Sequence, residues 1–213
     1  MAQGILLLGA GSHGRLLCEQ LEADPDLRVV GFTDSDPDLQ GRRVRGHEVL
    51  GGDDDIPTLW NEDAFDVALV GVGDSALAAR SNLRSRLQQR GIELLTFVHD
   101  TAEVAGSAQL GEGTVVMSQS YVGTAATIGD NVVVYSSVTI EHECTIADDA
   151  YISPGAVLCG EVSVGRETLI GANATVLPGC TVGDEAVVGA GAVVTRDIGS
   201  GQQVTGIPAE PSE

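Results

Sequence analysis

The chain contains no lysine. Its eleven basic residues are all arginine and stand against 31 aspartates and glutamates, giving a formal charge of −20. Such a balance leaves no basic stripe for a phosphate backbone and excludes nucleic acid as a partner. It reads as a solvating acidic surface, and a salt-dependent melting series tests whether that surface is an adaptation to salt. Aromatic side chains are almost as scarce, at 3% against 43% hydrophobic residues in total, while glycine numbers 28. A core without rings has to be filled by small aliphatic groups, which points to a tightly coiled repeat rather than an ordinary globular interior. The four cysteines, Cys18, Cys144, Cys159 and Cys180, form no CxxC pair. They read as free thiols in a reducing compartment, so the expected location is the cytoplasm. No apolar stretch approaches a membrane span. Ile5 to Leu8 is a four-residue run with no basic region before it, too short for a signal peptide.

What is present falls into two halves with different periods. Residues 1–97 alternate strand and helix signals, predicting a small parallel α/β, Rossmann-like unit. Ile5–Leu8 and Val29–Thr33 read as buried strands, with a helix from Ser12 to Ala23 between them. Val67–Val72 reads as a further strand, followed by a helix from about Ser75 to Gln89 and a last strand over Leu94–Phe97.

From Val98 the period becomes six. Seventeen positions in succession, 98, 104, 110 and so on to 194, hold only valine, isoleucine or leucine. With those residues at roughly a quarter of the chain, chance gives such a run on the order of 10⁻¹⁰ per frame. Glycine often follows the aliphatic residue, as at Gly111, Gly129, Gly165, Gly171, Gly183 and Gly189, and a small residue stands four places after it. Three hexads make one triangular coil of eighteen residues. The aliphatic residue stacks inward on its equivalent one coil away, and the small residue fills the corner where nothing larger is expected to fit. Glycine is expected to relieve strained corner backbone. Residues 98–213 therefore form a parallel β-helix of five to six coils with no extruded loop. A flat-faced prism of this kind packs well in threes, and a homotrimer is expected.

Two constellations carry chemistry. In Ile140-Glu141-His142-Glu143-Cys144, His142 stands two residues past an inward position, at a corner flanked by carboxylates. A neutral imidazole there accepts a proton while a neighbouring carboxylate fixes its tautomer. From the spacing alone, a catalytic base and a solvated surface histidine are both open. The second constellation is Gly9-Ala10-Gly11-Ser12-His13-Gly14, which follows a strand and opens a helix, with Asp34 at the end of the next strand. This is the context of a phosphate-binding glycine loop. Taken alone it suggests NAD, yet the domain is under a hundred residues and shows no second half to hold a nicotinamide. Gly73 and Asp74 follow a strand and are expected on the same edge of the sheet, as a wall of that pocket. His13 either faces the ligand or merely starts the helix. Cys144 and Cys180 fall on the small inward position and read as core filler, and Asp53-Asp54-Asp55 reads as a solvated loop rather than a metal site.

These motifs together resemble the hexapeptide-repeat acyltransferases, and among them the sialic acid O-acetyltransferase and UDP-N-acetylbacillosamine N-acetyltransferase family. The likeness covers almost the whole chain, and Val204-Thr205-Gly206-Ile207-Pro208-Ala209 is similar to that family's exit sequence. The resemblance implies a left-handed coil, which the spacing does not show. It implies acetyl-CoA as co-substrate, bound between subunits, with no metal, and a nucleotide-linked amino sugar held by Gly9, Gly11, Ser12, His13, Gly14 and Asp34. It also implies His142 as general base, Glu143 as its partner and the Gly160 N–H as donor to the thioester oxygen. The phosphates of the polyanionic coenzyme are expected on Arg166 or Arg196, the two arginines of the β-helix, or on backbone N–H groups, because residues 98–213 otherwise carry fifteen acids. Two departures bear on the acceptor pocket: Tyr151 stands where members often have histidine, and Tyr135 where they tend to have asparagine. The rival readings are an O-acetyltransferase acting on a sialic acid or other sugar hydroxyl, and a non-catalytic NAD-binding or scaffold protein.

Overall fold

A computed structural model describes residues 2–212, apart from the Ser75 side chain; Met1 and Glu213, the outer ends of the two expected domain ranges, lie outside the described residues. The chain divides between Leu95 and Thr96 into two compact units. The first is built from β1 (Gln3–Leu8), α1 (Ser12–Leu21), β2 (Leu27–Thr33), β3 (Arg43–Val44), β4 (His47–Gly51), α2 (Ile56–Asn61), β5 (Val67–Val70) and α3 (Leu77–Gln88). Its sheet runs β3-β4-β2-β1-β5. The central strands are parallel, and β3 folds back antiparallel on β4. Ile5 to Leu8 in β1 and Val67 to Val70 in β5 are buried at every position, as strands covered on both faces require. On one face of the sheet Leu6, Leu8, Ala68 and Val70 pack with Phe65, Leu83, Leu87 and Ile92 into one core.

Two expectations change here. Leu94–Phe97 is not one strand: Leu94 makes a single parallel bridge to Ala68, whereas Phe97 pairs with Val115 and opens the second unit. The β3–β4 hairpin was not anticipated. It lies in a short polar stretch whose partner strand is distant in sequence, so no local periodicity announces it.

The second unit is a left-handed parallel β-helix. Its seventeen two-residue rungs run from β6 (Phe97–Val98) to β22 (Val193–Val194), and each ends on the hexad aliphatic residue. Each rung from Phe97–Val98 to Thr175–Val176 pairs in register with the rung eighteen residues on, so three flat sheets form the faces of a prism. From Val116 to Val194 the inward aliphatic residues are at most 2% exposed. Each such burial is worth roughly 1.5–3 kcal/mol relative to exposure. Val98, at the open end of the stack, is 40% exposed. The chain closes the other end with β23 (Gln203–Thr205), which extends one face, and β24 (Glu210–Pro211), which folds back on it.

The corner residues behave differently from expectation in two respects. Val132, Val138 and Val162 occupy the small inward position and are fully buried, so valine does fit there. Each is stacked between smaller equivalents, Thr114 and Ala150, Ser120 and Ala156, Cys144 and Cys180, which leave room for the larger side chain between them. The left-handed backbone falls at the third residue after each aliphatic position, from Gly113 to Gly191, and most of these residues are not glycine. Gln119, Asn131, Glu143 and Asp149 are examples, with φ between 54° and 62°. The glycines directly after the aliphatic residue serve close approach instead. A Cβ on Gly165 would stand 2.4 Å from the Asp184 nitrogen, and one on Gly111 2.4 Å from the Gly129 carbonyl carbon.

Candidate active site

His142 sits on the corner between the rungs Thr139–Ile140 and Thr145–Ile146. Cys144, fully buried two residues later, pins the turn to the core, with its thiol donating to the Cys159 carbonyl at 3.1 Å. Burial pushes the Cys144 thiol up, so it stays protonated and takes no part in nucleophilic chemistry. Glu143 adopts φ 58°, and its carboxylate turns back to His142, with Oε2 3.1 Å from Nδ1. Both side chains are more than half exposed, so the pair contributes little stability. Its effect is directional: with Nδ1–H donated to Glu143, the free lone pair is on Nε2.

Nε2 lies against Gly160, the equivalent residue one coil on. A Cβ at Gly160 would be 2.5 Å from Nε2 and 2.6 Å from Cε1. The Gly160 N–H is also distinctive. On another edge of the prism the corresponding corner N–H groups are capped from the next coil: Glu112 by Asp130, Asp130 by Asp148 and Arg166 by Asp184, at 2.7–3.0 Å. Above Gly160 the equivalent residue is Pro178, which offers no side-chain acceptor. Among the described residues no acceptor meets the Gly160 N–H, which leaves a backbone donor beside a free imidazole nitrogen.

The two arginines separate. The rungs at 139–140, 157–158, 175–176 and 193–194 pair in turn, so Arg196 stands in the His142 column, three coils further on. Its guanidinium is ion-paired with Glu210. Arg166 follows Val164 at the other end of its face, on a different edge from His142. Tyr135 and Tyr151 pack against each other, ring centroids 5.8 Å apart at 37°.

In the first unit the three glycines of the loop have distinct roles. Gly9 adopts φ 106°. A Cβ on Gly14 would fall 1.9 Å from the Gly9 carbonyl oxygen, so α1 packs on the loop only because that atom is missing. Gly11 has nothing within 4 Å of its Cβ direction and no side chain caps α1. The first N–H groups of the helix, including Ser12, are thereby available to an anion. Asp34 braces the loop: Oδ2 accepts from the Ala10 N–H at 2.7 Å and Oδ1 from Asp36 at 2.9 Å. His13 is turned inward at 4% exposure. Burial and the nearby Arg80 guanidinium push its pKa down to about 3, so it is a neutral interior residue rather than an ionic contact.

A cleft of about 320 Å³ opens beside this loop, lined by Gly9, Asp34, Ser35, Asp53, Val72, Ala76, Ala79, Asn82 and Leu83. Gly73 and Asp74 lie between two lining residues, Val72 and Ala76, and Gly73 abuts His13. Several residues here escaped the sequence reading. Arg15 donates to the Ala10 and Gly11 carbonyls at 3.2 and 3.3 Å, placing a guanidinium at the loop, a site signalled only by its adjacency to Gly14. Arg86 donates to the Asp53 carbonyl at 3.1 Å and to the Asp54 carboxylate at 2.8 Å, which fixes the acidic turn Asp53–Asp55 at the rim of the cleft. Elsewhere, Cys18, Glu22 and His47 place ligand-type atoms within 4.8 Å of one another. Arg45 already pairs with Glu22 there at 3.3 Å, so the group is an ion-pair network joining α1 to the hairpin. No described helix is long and apolar enough to cross a membrane.

Comparison with known proteins places both units. Residues 4–90 match the PglD N-terminal domain, 125–160 the bacterial transferase hexapeptide family, and 161–196 the hexapeptide repeat of succinyl-transferase. PerB from Caulobacter crescentus, solved with CoA and GDP-perosamine, is 31% identical with a TM-score of 0.91, covering 99% of this chain and 97% of that one. The acetyltransferase domain of PglB from Neisseria gonorrhoeae FA1090, solved with acetyl coenzyme A, is 32% identical over the full length of both, with a TM-score of 0.89. UDP-N-acetylbacillosamine N-acetyltransferase of Bacillus subtilis strain 168 is 31% identical over 117 residues, 54% of this chain; the match spans about half of that protein's length, 52%. A PglD-type domain followed by hexapeptide coils, shared end to end with PerB and the PglB acetyltransferase domain, means that the chain belongs to the hexapeptide-repeat acetyltransferases of the sialic acid O-acetyltransferase and UDP-N-acetylbacillosamine N-acetyltransferase family.

Proposed function

We propose that this protein transfers the acetyl group of acetyl-CoA to the amine of a nucleotide-linked amino sugar. The observation that carries the reading is the His142 corner, where a carboxylate-oriented imidazole and an open backbone N–H stand together one coil apart. The amine nitrogen attacks the thioester carbonyl carbon as Nε2 of His142 takes its proton. Glu143 holds the resulting imidazolium, and the Gly160 N–H donates to the oxyanion. Collapse of the tetrahedral adduct breaks the C–S bond, and the proton passes from His142 to the departing CoA sulfur. The glycine loop and the N-terminus of α1 hold the diphosphate of the sugar nucleotide, with Asp34 near the ribose.

Arg196 rather than Arg166 is the arginine this reading assigns to the coenzyme, because it shares the His142 column. The active assembly is a homotrimer with the donor pocket between subunits, checked by light scattering at micromolar concentration, where a monomer overturns it. Activity is tested by following CoA thiol release over a panel of UDP-, dTDP- and GDP-linked amino sugars, with matched hydroxyl sugars as controls. Turnover with an amino sugar and none with the hydroxyl controls is expected. Acetylation of the hydroxyl sugars alone defeats the amine assignment, and no turnover with any acceptor defeats the enzymatic reading.

A further inference from the structure

The cleft beside the glycine loop has a mixed lining that bears on the nucleotide. Val72, Ala79 and Leu83 give it apolar surface, and Asp53 and Asn82 give it polar groups. A flat heterocycle fits such a slot with its face on the aliphatic side chains and its hydrogen-bonding edge toward the polar ones. The cleft lies immediately beyond Asp34, where a base follows once the diphosphate is on α1 and the ribose is near that carboxylate.

The carboxylates around this cleft are not equivalent. Asp34 accepts from two backbone N–H groups, Asp54 from Arg86 and Asp55 from the Gly52 N–H. Asp53 lines the cleft and, among the described residues, receives no hydrogen bond on its carboxylate. Burial pushes its carboxyl up, partly offset by the Arg86 guanidinium, as befits a carboxylate stripped of some of its water with no donor in return. Its backbone is nevertheless fixed, because Arg86 holds its carbonyl.

We propose that Asp53 reads the N1–H and 2-amino group of guanine, so that the acceptor is a GDP-linked amino sugar. The inference rests on the reading of this cleft as the nucleotide site. A carboxylate can only accept, and guanine alone among the common bases presents two adjacent donors on its pairing edge, matching two carboxylate oxygens. The neighbouring O6 is an acceptor and takes a hydrogen bond from the Asn82 amide. Uracil and thymine set one N–H between two carbonyl oxygens and would turn lone pairs toward the carboxylate. Adenine and cytosine offer one donor beside an acceptor nitrogen and make a single bond at most.

Calorimetric titration of the full-length protein with GDP, inosine diphosphate, UDP and dTDP tests this. GDP is expected to bind tightest, with inosine diphosphate, which lacks the 2-amino group, weaker by about tenfold, and UDP and dTDP by tenfold or more. Asp53→Asn is expected to lose at least tenfold in GDP affinity while gaining relative affinity for xanthosine diphosphate, whose C2 carbonyl accepts from the new amide. Asn82→Ala supplies a second variant, on a surface helix position, and is expected to lower GDP affinity alone. The proposal is overturned if UDP or dTDP binds as tightly as GDP, or if GDP affinity survives Asp53→Asn in a variant with native melting behaviour. Failure of every nucleoside diphosphate to bind is a different result and overturns the nucleotide site itself.

Discussion

The imidazole of His142 rests against the α-carbon of Gly160, one coil along the helix, with no space for a methyl group between them. Three ring atoms lie within 3.2 Å of where a Cβ would stand. The contact sets both the height of Nε2 above the corner and its distance from the Gly160 N–H. Gly160 does not have positive φ, so alanine there meets no backbone strain. Gly160→Ala should therefore fold normally, with Tm within a few degrees of the parent, while kcat falls about 10²-fold because the ring is displaced from the acceptor. Unchanged kcat in the alanine variant would mean that the ring position is not used.

Gly165 provides the opposite case. An alanine Cβ there meets backbone of the next coil, the Asp184 nitrogen at 2.4 Å, and neither coil has a flexible end to move. Gly165→Ala should cost about 1–3 kcal/mol, read as a lower midpoint in urea, with the activity per folded molecule preserved.

His142→Ala should lower kcat by about 10²–10⁴-fold while acetyl-CoA affinity stays nearly intact. Glu143 orients the ring, so its loss should cost less. Glu143 occupies a left-handed conformation at φ 58°, where glycine is at ease. Glu143→Gly should accordingly raise thermal stability slightly while lowering kcat, a split that a purely structural role would not give. A wild-type kcat in His142→Ala removes the assignment of the base.

His13 makes the first unit sensitive to acid. Its pKa is about 3 when folded against 6.5 in the free side chain. Between those values the unfolded chain binds a proton that the folded chain excludes, so stability falls as pH drops below 6.5. The loss should reach roughly 1–2 kcal/mol by pH 5, above the range in which most carboxylates titrate. Melting curves from pH 7.5 to 5 should show this decline, and His13→Asn should flatten it. Equal slopes in the two proteins would place the sensitivity elsewhere.

The β-helix was legible because its stacking partners recur at a fixed short interval, so every inward residue from Val98 to Val194 stands in one frame. The same frame carries more than it first shows. Residues 142 and 196 differ by three coils, and that arithmetic alone puts Arg196 in the His142 column and Arg166 outside it. The purpose of the hexad glycines was not legible, because a missing side chain looks the same whether it frees φ or admits a neighbouring coil. Asp53 was hidden for another reason. It stands in a run of three aspartates that reads as solvated loop, and only the tertiary fold brings it to the cleft beside Gly9 and Asp34. His13 reads as either a ligand or a helix-start residue from its place in the glycine loop, but the burial of its ring and the charge of Arg80 beside it, far along the chain, appear only in the fold.

Arg196 and Glu210 form an exposed ion pair at the closing end of the β-helix. Three coils at about 4.8 Å each put Arg196 roughly 14 Å along the axis from His142, a span that an extended pantetheine arm covers. A coenzyme with its thioester at His142 and its arm along the column would bring its phosphates to this guanidinium. Glu210 competes with them for the same donors, and removing it should strengthen the coenzyme contact. Arg196→Ala is expected to raise the KM for acetyl-CoA several-fold with little change in kcat. Glu210→Gln is expected to lower that KM, and Arg166→Ala, on another edge, to leave it unchanged. An exposed pair is worth at most about 1 kcal/mol, so neither Arg196→Ala nor Glu210→Gln should shift Tm appreciably. If Arg196→Ala leaves the KM for acetyl-CoA where it was, the coenzyme does not run along this column, and the phosphates are held by backbone N–H groups instead.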